Sequence, residues 1–292
     1  MHYINGQYVK EEDAKISIYD LSILRGFGVF DYLRTYGGRP FHLWDHLLRL
    51  KYSAEHIGLS LPNPLTEIQD IVHNVKKRNN LFEASIKLLV TGGTSADQFT
   101  PYHTGNLIVF AWPLSSYPQH FFTEGIKVTT TRLNRSLPTS KTTQYTSAIV
   151  AMRNGKSQNA VEALYLNAND EILEGTTSNF FAFKNGTLYT CCSDEVLFGI
   201  TREVILKLAA PLFPIENRAL RYDEIEDMEE AFITASNKEI MPVTQIDAKK
   251  IGSGKVGPKT QQTMDLFRKY TKESAWPELN IERYRLQNQI IF

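Results

Sequence analysis

Cysteine is almost missing from this chain: there are two, the adjacent pair Cys191 and Cys192. Adjacent thiols suit neither a zinc site nor a structural disulfide, and they are compatible with a reducing compartment. Long apolar runs are missing too. No stretch approaches the roughly 20 residues a membrane span needs. The first residues, Met1 to Tyr8, hold no apolar core of signal-peptide length. Excess charge is absent, with 32 basic and 32 acidic residues. That balance excludes a general nucleic-acid or anionic-membrane binder and leaves room for a local basic pocket. There is no repeat, no low-complexity tract and no metal-ligand spacing, so no metal is expected. What remains is a chain of 292 residues, 42% hydrophobic and 22% charged, the composition of a folded soluble protein with length for two domains. A cytoplasmic location is the expectation.

The local patterns divide the chain. Asn5-Gly6 between apolar residues signals a hairpin. Residues 15–18 are a short strand candidate, and 29–36 read as a strand behind Gly26 and Gly28, which permit close backbone approach. Residues 44–57 are a helix through Leu47, Leu50, Ala54 and Ile57, stopped at Gly58. A second helix follows at 65–75, then apolar strands at 85–91 and 107–112. The polar, proline-containing stretch 114–120 reads as a linker. The resulting division is an N-terminal domain 1–115, a linker 116–122 and a C-terminal domain 123–292. The latter carries strands at 126–132, 163–167, 178–183, 187–190 and 231–235. Its helices are expected at 142–158, with Ile149, Val150 and Met152 on the apolar side, and at 201–209. The tail 275–292 has a polar helical pattern ending in Ile290-Ile-Phe292, suited to docking on the body or on a partner subunit. The fold class is α+β in two domains: a smaller N-terminal α/β domain and a larger, barrel-like C-terminal α/β domain.

Four stretches carry chemistry. In Glu174-Gly-Thr-Thr-Ser-Asn179 a carboxylate stands at the mouth of an apolar strand, where it is costly without a cationic partner. Gly199-Ile200-Thr201 opens a helix, either as an ordinary N-cap or as an anion site of free N–H groups and a hydroxyl. Thr234-Ala-Ser236-Asn237 is a small polar turn after a buried strand. On the 44–57 helix, His46 and Arg49 share one face. If that face is buried, Arg49 must meet an anion, and phosphate fits its forked donors. Lys141 sits between a Pro138 turn and a helix among small hydroxyl residues. A lysine that forms an imine needs burial or a cationic neighbour to lower its pKa. Phosphate donors, a lysine and a carboxylate are together the parts a pyridoxal phosphate site requires.

With these motifs the chain resembles the class IV, fold type IV, pyridoxal-phosphate aminotransferases. That family includes branched-chain and D-amino-acid aminotransferases and aminodeoxychorismate lyase. The resemblance runs from about residue 4 to 260. It rests on Arg25-Gly-Phe-Gly-Val-Phe-Asp31, His46-Leu-Leu-Arg49-Leu50, Lys141 before a helix, Glu174-Gly-Thr-Thr-Ser-Asn179, Gly199-Ile-Thr-Arg202 and Gly252-Ser-Gly-Lys-Val-Gly-Pro258. It implies that Lys141 is the catalytic lysine bound to the cofactor and Glu174 the partner of the pyridine nitrogen. It implies phosphate contacts from Arg49, Ile200, Thr201 and Ser236, and a substrate-pocket aromatic in Phe30. It also implies a homodimer acting on an α-amino acid and a 2-keto acid.

Substrate choice is less marked. The branched-chain enzymes commonly carry an arginine where this chain has Lys87. Bacillus-type D-amino-acid enzymes carry an arginine and a histidine in a loop that is shorter here, residues 92–99, and has neither. Arg25 and Lys87 together form an alternative carboxylate trap, and Tyr145 and Asn237 are further candidates for the pocket wall. Phe27, Phe30 and Tyr32 favour an aliphatic or aromatic side chain. The expected activity is transamination of aliphatic, branched-chain amino acids, with D-amino-acid transfer, the lyase reaction and a non-catalytic binding role as alternatives.

Overall fold

The computed structural model describes every residue except His103 and residues 286–292, and of Arg285 only the backbone. Contacts divide the chain into two compact units. The first joins Met1–Ser115 to Ser140–Gln144 and to the tail from Ser274; the second joins Ser116–Thr139 to Tyr145–Glu273.

In the first unit, β1 (His2–Ile4) and β2 (Gln7–Val9) form the hairpin at Asn5-Gly6. Both turn residues have positive φ, 43° and 87°, the conformation Asn-Gly supplies readily. After the short helix α1 (Leu21–Arg25) come β3 (Gly28–Tyr36), β4 (Arg39–Pro40), α2 (Leu43–His56), α3 (Leu65–Arg78), β5 (Ala84–Thr91) and β6 (Asn106–Pro113). The sheet order is β2-β1-β6-β5-β3-β4. Alternation along β3 and β5 sorts the side chains. Val29, Leu33, Ile86, Leu88 and Val90 pack with Leu47, Leu50, Ala54, Ile68 and Val72 of the two helices. Each such burial contributes about 1.5–3 kcal/mol. The alternate residues Phe30, Tyr32, Lys87 and Leu89 take the other face, with Phe30 paired to Leu89 and Tyr32 to Lys87.

The second unit begins with α4 (His120–Thr123) and β7 (Ile126–Thr131), then α5 (Thr146–Lys156), β8 (Glu162–Leu166), β9 (Ile172–Gly175), β10 (Asn179–Lys184) and β11 (Thr187–Thr190). It continues through α6 (Ile200–Ala209), β12 (Ile215–Glu216), β13 (Glu230–Ala235), β14 (Glu239–Ile246), β15 (Lys249–Lys250) and α7 (Pro258–Tyr270). The strand path β10-β13-β14-β7-β8-β9 closes on itself because β9 also pairs with β10. This closure is the barrel anticipated from the sequence. Strand β10 is buried on both faces, which is why it reads as a continuous apolar run. Phe180 and Ala182 join the barrel interior, and Phe181 stacks on Phe232 at 5.0 Å on the other side. The last described helix, α8 (Glu282–Arg285), packs on α2.

Several expectations change. Residues 15–18 form no strand, and Ile18 is 70% exposed. The helix expected at 142–158 is shorter, and its Ile149 and Val150 are exposed. It packs instead on Ala148, Ala151 and Gly155, because only small residues fit: a Cβ on Gly155 would come within 2.8 Å of the Thr129 hydroxyl. Before it, Thr142 bridges to Val29 of β3. That pairing attaches Lys141 to the first unit, although by sequence it follows the linker. The tail likewise groups with the first unit. Ile290, Ile291 and Phe292 lie outside the described residues. Among the described residues no helix is long and apolar enough to cross a membrane.

Candidate active site

Lys141 is held by its backbone. Its carbonyl accepts from the Phe30 N–H at 2.9 Å, and its own N–H donates to the Ser53 hydroxyl at 3.1 Å. Next to it, Thr143 N–H donates to Gly28 O at 2.9 Å and its hydroxyl to Gly26 O at 2.8 Å. Gly28 cannot be larger, because a Cβ there would meet the Val90 carbonyl at 2.9 Å. The Lys141 Nζ lies 4.8 Å from the Phe30 ring centre, and Lys87 Nζ lies 4.6 Å from the same ring. Burial pushes the Lys87 amine below its ordinary pKa. Three sequence candidates therefore meet on one sheet face. Arg25 does not join them; it is exposed at the end of α1 and donates to Leu24 O.

Arg49 is buried on α2, on the opposite face of that sheet, beside Asp31. Its Nε and one terminal nitrogen both reach the Asp31 carboxylate at 2.8 Å, and His46 Nδ1 lies 2.7 Å from the same group. Burial alone would push the Asp31 carboxyl up. Arg49 and His46 outweigh it and hold the group well below the usual carboxylate range. Burial pushes the His46 imidazole down despite Asp31, which favours the neutral ring. Asp31→Asn is expected to cost about 3–5 kcal/mol, because it strands a buried guanidinium. The depressed Asp31 pKa adds stability that is fully present above the ordinary carboxylate pKa of about 4 and lost as pH falls through the folded value. Denaturant titrations of wild type and Asp31→Asn from neutral to acid pH check both points: the gap between the two proteins should narrow at low pH.

In the second unit Glu174 ends β9 and stands opposite Asn179 of β10. It is buried, and three donors converge on it. Arg135 reaches Oε1 at 2.5 Å, while Leu197 N–H and Asn179 Nδ2 reach Oε2 at 3.0 and 3.3 Å. Burial would lower the Arg135 pKa; Glu174 and then Tyr145 raise it instead. Burial pushes the Tyr145 phenol up to about 12. Asn179 also donates to Leu197 O at 2.7 Å, and a Cβ on Gly199 would sit 2.1 Å from its Oδ1. A larger residue before α6 would therefore have to displace the Asn179 side chain. Helix α6 starts at Ile200 without a side-chain cap among the described residues, and Thr201 is buried in its first turn. Asn179 pairs on its other side with Thr234, whose buried hydroxyl has no partner among the described residues. Ser236 and Asn237 follow in the turn after β13, and Asn237 donates to the Tyr117 hydroxyl at 3.2 Å.

Sequence reasoning missed Arg135 and Asn179. Asn179 falls within the Glu174–Asn179 motif, where the pattern predicts only a strand. It also missed the buried Glu162–Lys238 pair at 3.0 Å, which draws in the hydroxyls of Thr176, Thr177 and Ser178. Arg135 lies 39 residues from Glu174 and Lys238 lies 76 from Glu162, so spacing gives no signal for those links; Asn179 stands only five residues from Glu174.

Residues 28–246 match the family Amino-transferase class IV. The chain is 32% identical over 273 residues to a putative branched-chain-amino-acid aminotransferase of Methanocaldococcus jannaschii, covering 91% of this chain and 94% of that one. It is 31% identical over 278 residues to a D-alanine aminotransferase of Staphylococcus epidermidis, covering 94% and 98%. The crystal structure of the Escherichia coli branched-chain amino acid aminotransferase superposes with a TM-score of 0.88 at 27% identity, covering 94% and 96%. The chain belongs to the class IV aminotransferases: it is a transaminase of fold type IV, a family of pyridoxal-phosphate enzymes. Its residues suit that cofactor. Among the described residues the second unit offers the start of α6 without a side-chain cap, a glycine before it set close to Asn179, a buried hydroxyl without a partner at Thr234 and a buried carboxylate. The first offers a lysine and a buried arginine.

Proposed function

We propose that this enzyme moves the amino group of an aliphatic, branched-chain α-amino acid to a 2-keto acid. In this reading Lys141 carries pyridoxal phosphate and Glu174 faces its pyridine nitrogen. Arg49, Ile200, Thr201 and Ser236 receive its phosphate. When bound, the cofactor supplies the electron sink that makes the Cα–H bond acidic. Lys141, once released, takes that proton and returns it as general base and acid. Glu174 supplies the negative charge, and Arg135 and Asn179 fix its orientation. Tyr145 and Asn237 stand as pocket-wall residues, and Arg25 contributes only in a homodimer, where an exposed residue meets a second copy. A dimer in the cytoplasm is the assembly and location this reading expects.

One observation carries the substrate class: Lys141 and Lys87 share the Phe30 ring, at 4.8 and 4.6 Å, on a sheet face that also bears Tyr32 and Leu89. That surface suits an apolar side chain, with Lys87 available to a carboxylate. The likeness to D-alanine aminotransferases over 94% of the chain supports a second reading, transfer from D-amino acids.

The test is an absorbance titration of the cofactor-loaded enzyme with L-leucine, D-alanine and a simple amine. L-Leucine should discharge the visible band and a 2-keto acid restore it. Lys87→Met should raise the half-saturating leucine concentration about tenfold or more, the worth of one charge-assisted contact, and leave the amine response unchanged. Discharge by D-alanine alone would select the second reading. Silence toward every donor, with pyruvate release from aminodeoxychorismate, would replace transamination by the lyase reaction.

A further inference from the structure

The tail lies beyond the residues that match the family, 28–246, and the chemistry above makes no use of it. It packs on the residues that lead into α2 and along one stripe of that helix. The Trp276 ring meets Phe41 edge-on at 4.8 Å, stacks on His42 at 6.1 Å and lies under the Arg39 guanidinium at 4.4 Å. Arg39 also donates to the Ser274 carbonyl. Leu279 N–H then donates to Asp45 at 3.0 Å, and Asp45 pairs with His42 at 2.8 Å. Finally Tyr284, 6% exposed, packs its ring 5.3 Å from Tyr52, three residues along α2 from Arg49, and its phenol helps to raise the pKa of the Arg49 guanidinium. His42, Asp45, Arg49 and Tyr52 recur at helical spacing, so the tail follows the helix face that contains the buried arginine.

We propose that Tyr284 is a positioning residue for Arg49, so that the C-terminal tail forms part of the phosphate-binding apparatus. The inference rests on the reading of Arg49 as a phosphate ligand. Its physical basis is charge. Asp31 already balances the Arg49 charge through two bonds. A second carboxylate on this arginine would leave a net negative site and repel phosphate. A phenol hydroxyl holds the guanidinium and adds no charge, so the site stays attractive to an anion. A tail that served only as packing would need no hydroxyl at Tyr284, its one deeply buried position among the described residues. The ring of Phe would fill the same space against Tyr52.

The experiment compares pyridoxal phosphate with pyridoxal, which lacks the phosphate, in titrations of full-length apoenzyme followed by absorbance. Inorganic phosphate serves as a competitor. Tyr284→Phe keeps the ring and removes the bond. It should weaken pyridoxal phosphate binding about tenfold, weaken competition by phosphate in parallel and leave pyridoxal binding unchanged, the size expected for one hydrogen bond to a charged group. Trp276→Ala, which detaches the tail without touching the hydroxyl, should give the same phosphate-selective loss. An unchanged preference for the phosphorylated form in Tyr284→Phe overturns the proposal. So does an equal loss for both ligands, which would mark a general packing role. Arg49→Met, which removes the charge as well as the donors, separates this from the underlying reading. If it keeps the full preference, Arg49 is not the phosphate ligand. If it loses the preference while Tyr284→Phe is normal, only the role of the tail fails.

Discussion

Lys141→Ala is expected to lose turnover by at least about 10³-fold, the scale of a positioned general base combined with a covalent attachment point. The protein should still fold, because the structural work at this position is done by backbone. The carbonyl that accepts from Phe30 and the N–H that donates to Ser53 both survive the substitution. The variant should also bind pyridoxal phosphate through the phosphate contacts, which lie on other residues. What should disappear is covalent capture: after borohydride treatment, intact mass should show an adduct on wild type and none on the variant. The informative competitor is Lys87, whose amine lies at the same Phe30 ring and whose pKa is lowered by burial. Peptide mapping of the reduced wild-type adduct should therefore find Lys141. An adduct on Lys87, or near-normal turnover by Lys141→Ala, would reassign the catalytic lysine.

How far the sequence carried the fold depends on the range of the interactions. Helix α2, the strands β3, β5 and β6 and the Asn5-Gly6 hairpin are legible because their signals are local: period, turn chemistry and a stopping glycine. Strands β9 and β14 were not recognised, since Ile172–Gly175 is short and Glu239–Ile246 contains Pro242. Their identity comes from barrel closure, which pairs β9 with β10 and β14 with β7. The α5 error has a similar cause. Apolar period points to Ile149 and Val150, but the space over β7 and β8 admits only Ala and Gly, so close approach overrides hydrophobicity there. Lys141 was legible as chemistry and not as architecture. Nothing in its neighbours announces that Thr142 will pair with Val29 and bring the lysine to β3. Glu174 was recognised as a carboxylate in need of a cation, yet its partner, Arg135, sits in a polar loop of no distinctive pattern.

That partnership shapes the other large effect. Glu174→Gln is expected to slow proton transfer in the half-reaction by about 10²–10³-fold, the range seen when one preorganised electrostatic group is removed. The geometry also predicts a stability cost. Arg135 reaches one carboxylate oxygen, and Leu197 N–H with Asn179 Nδ2 reach the other. A glutamine has a single acceptor oxygen, so whichever way its amide turns, an N–H₂ group faces a donor. One buried donor left unmatched costs about 1–3 kcal/mol. The rate loss must therefore be separated from a loosened site. Stopped-flow absorbance at matched cofactor occupancy gives the rate, and a second substitution supplies the distinction. Arg135→Met removes the donor that the glutamine cannot satisfy when its amide turns that way. In the double variant, stability should recover part of its loss, because a neutral glutamine no longer faces an unpaired guanidinium. The rate should stay low, because the negative charge is still absent. Recovery of both together would mean that Glu174 serves only to seat Arg135, and the pyridine nitrogen would need another partner. Glu174→Asp, which keeps the charge on a shorter arm, should fall between wild type and glutamine in rate.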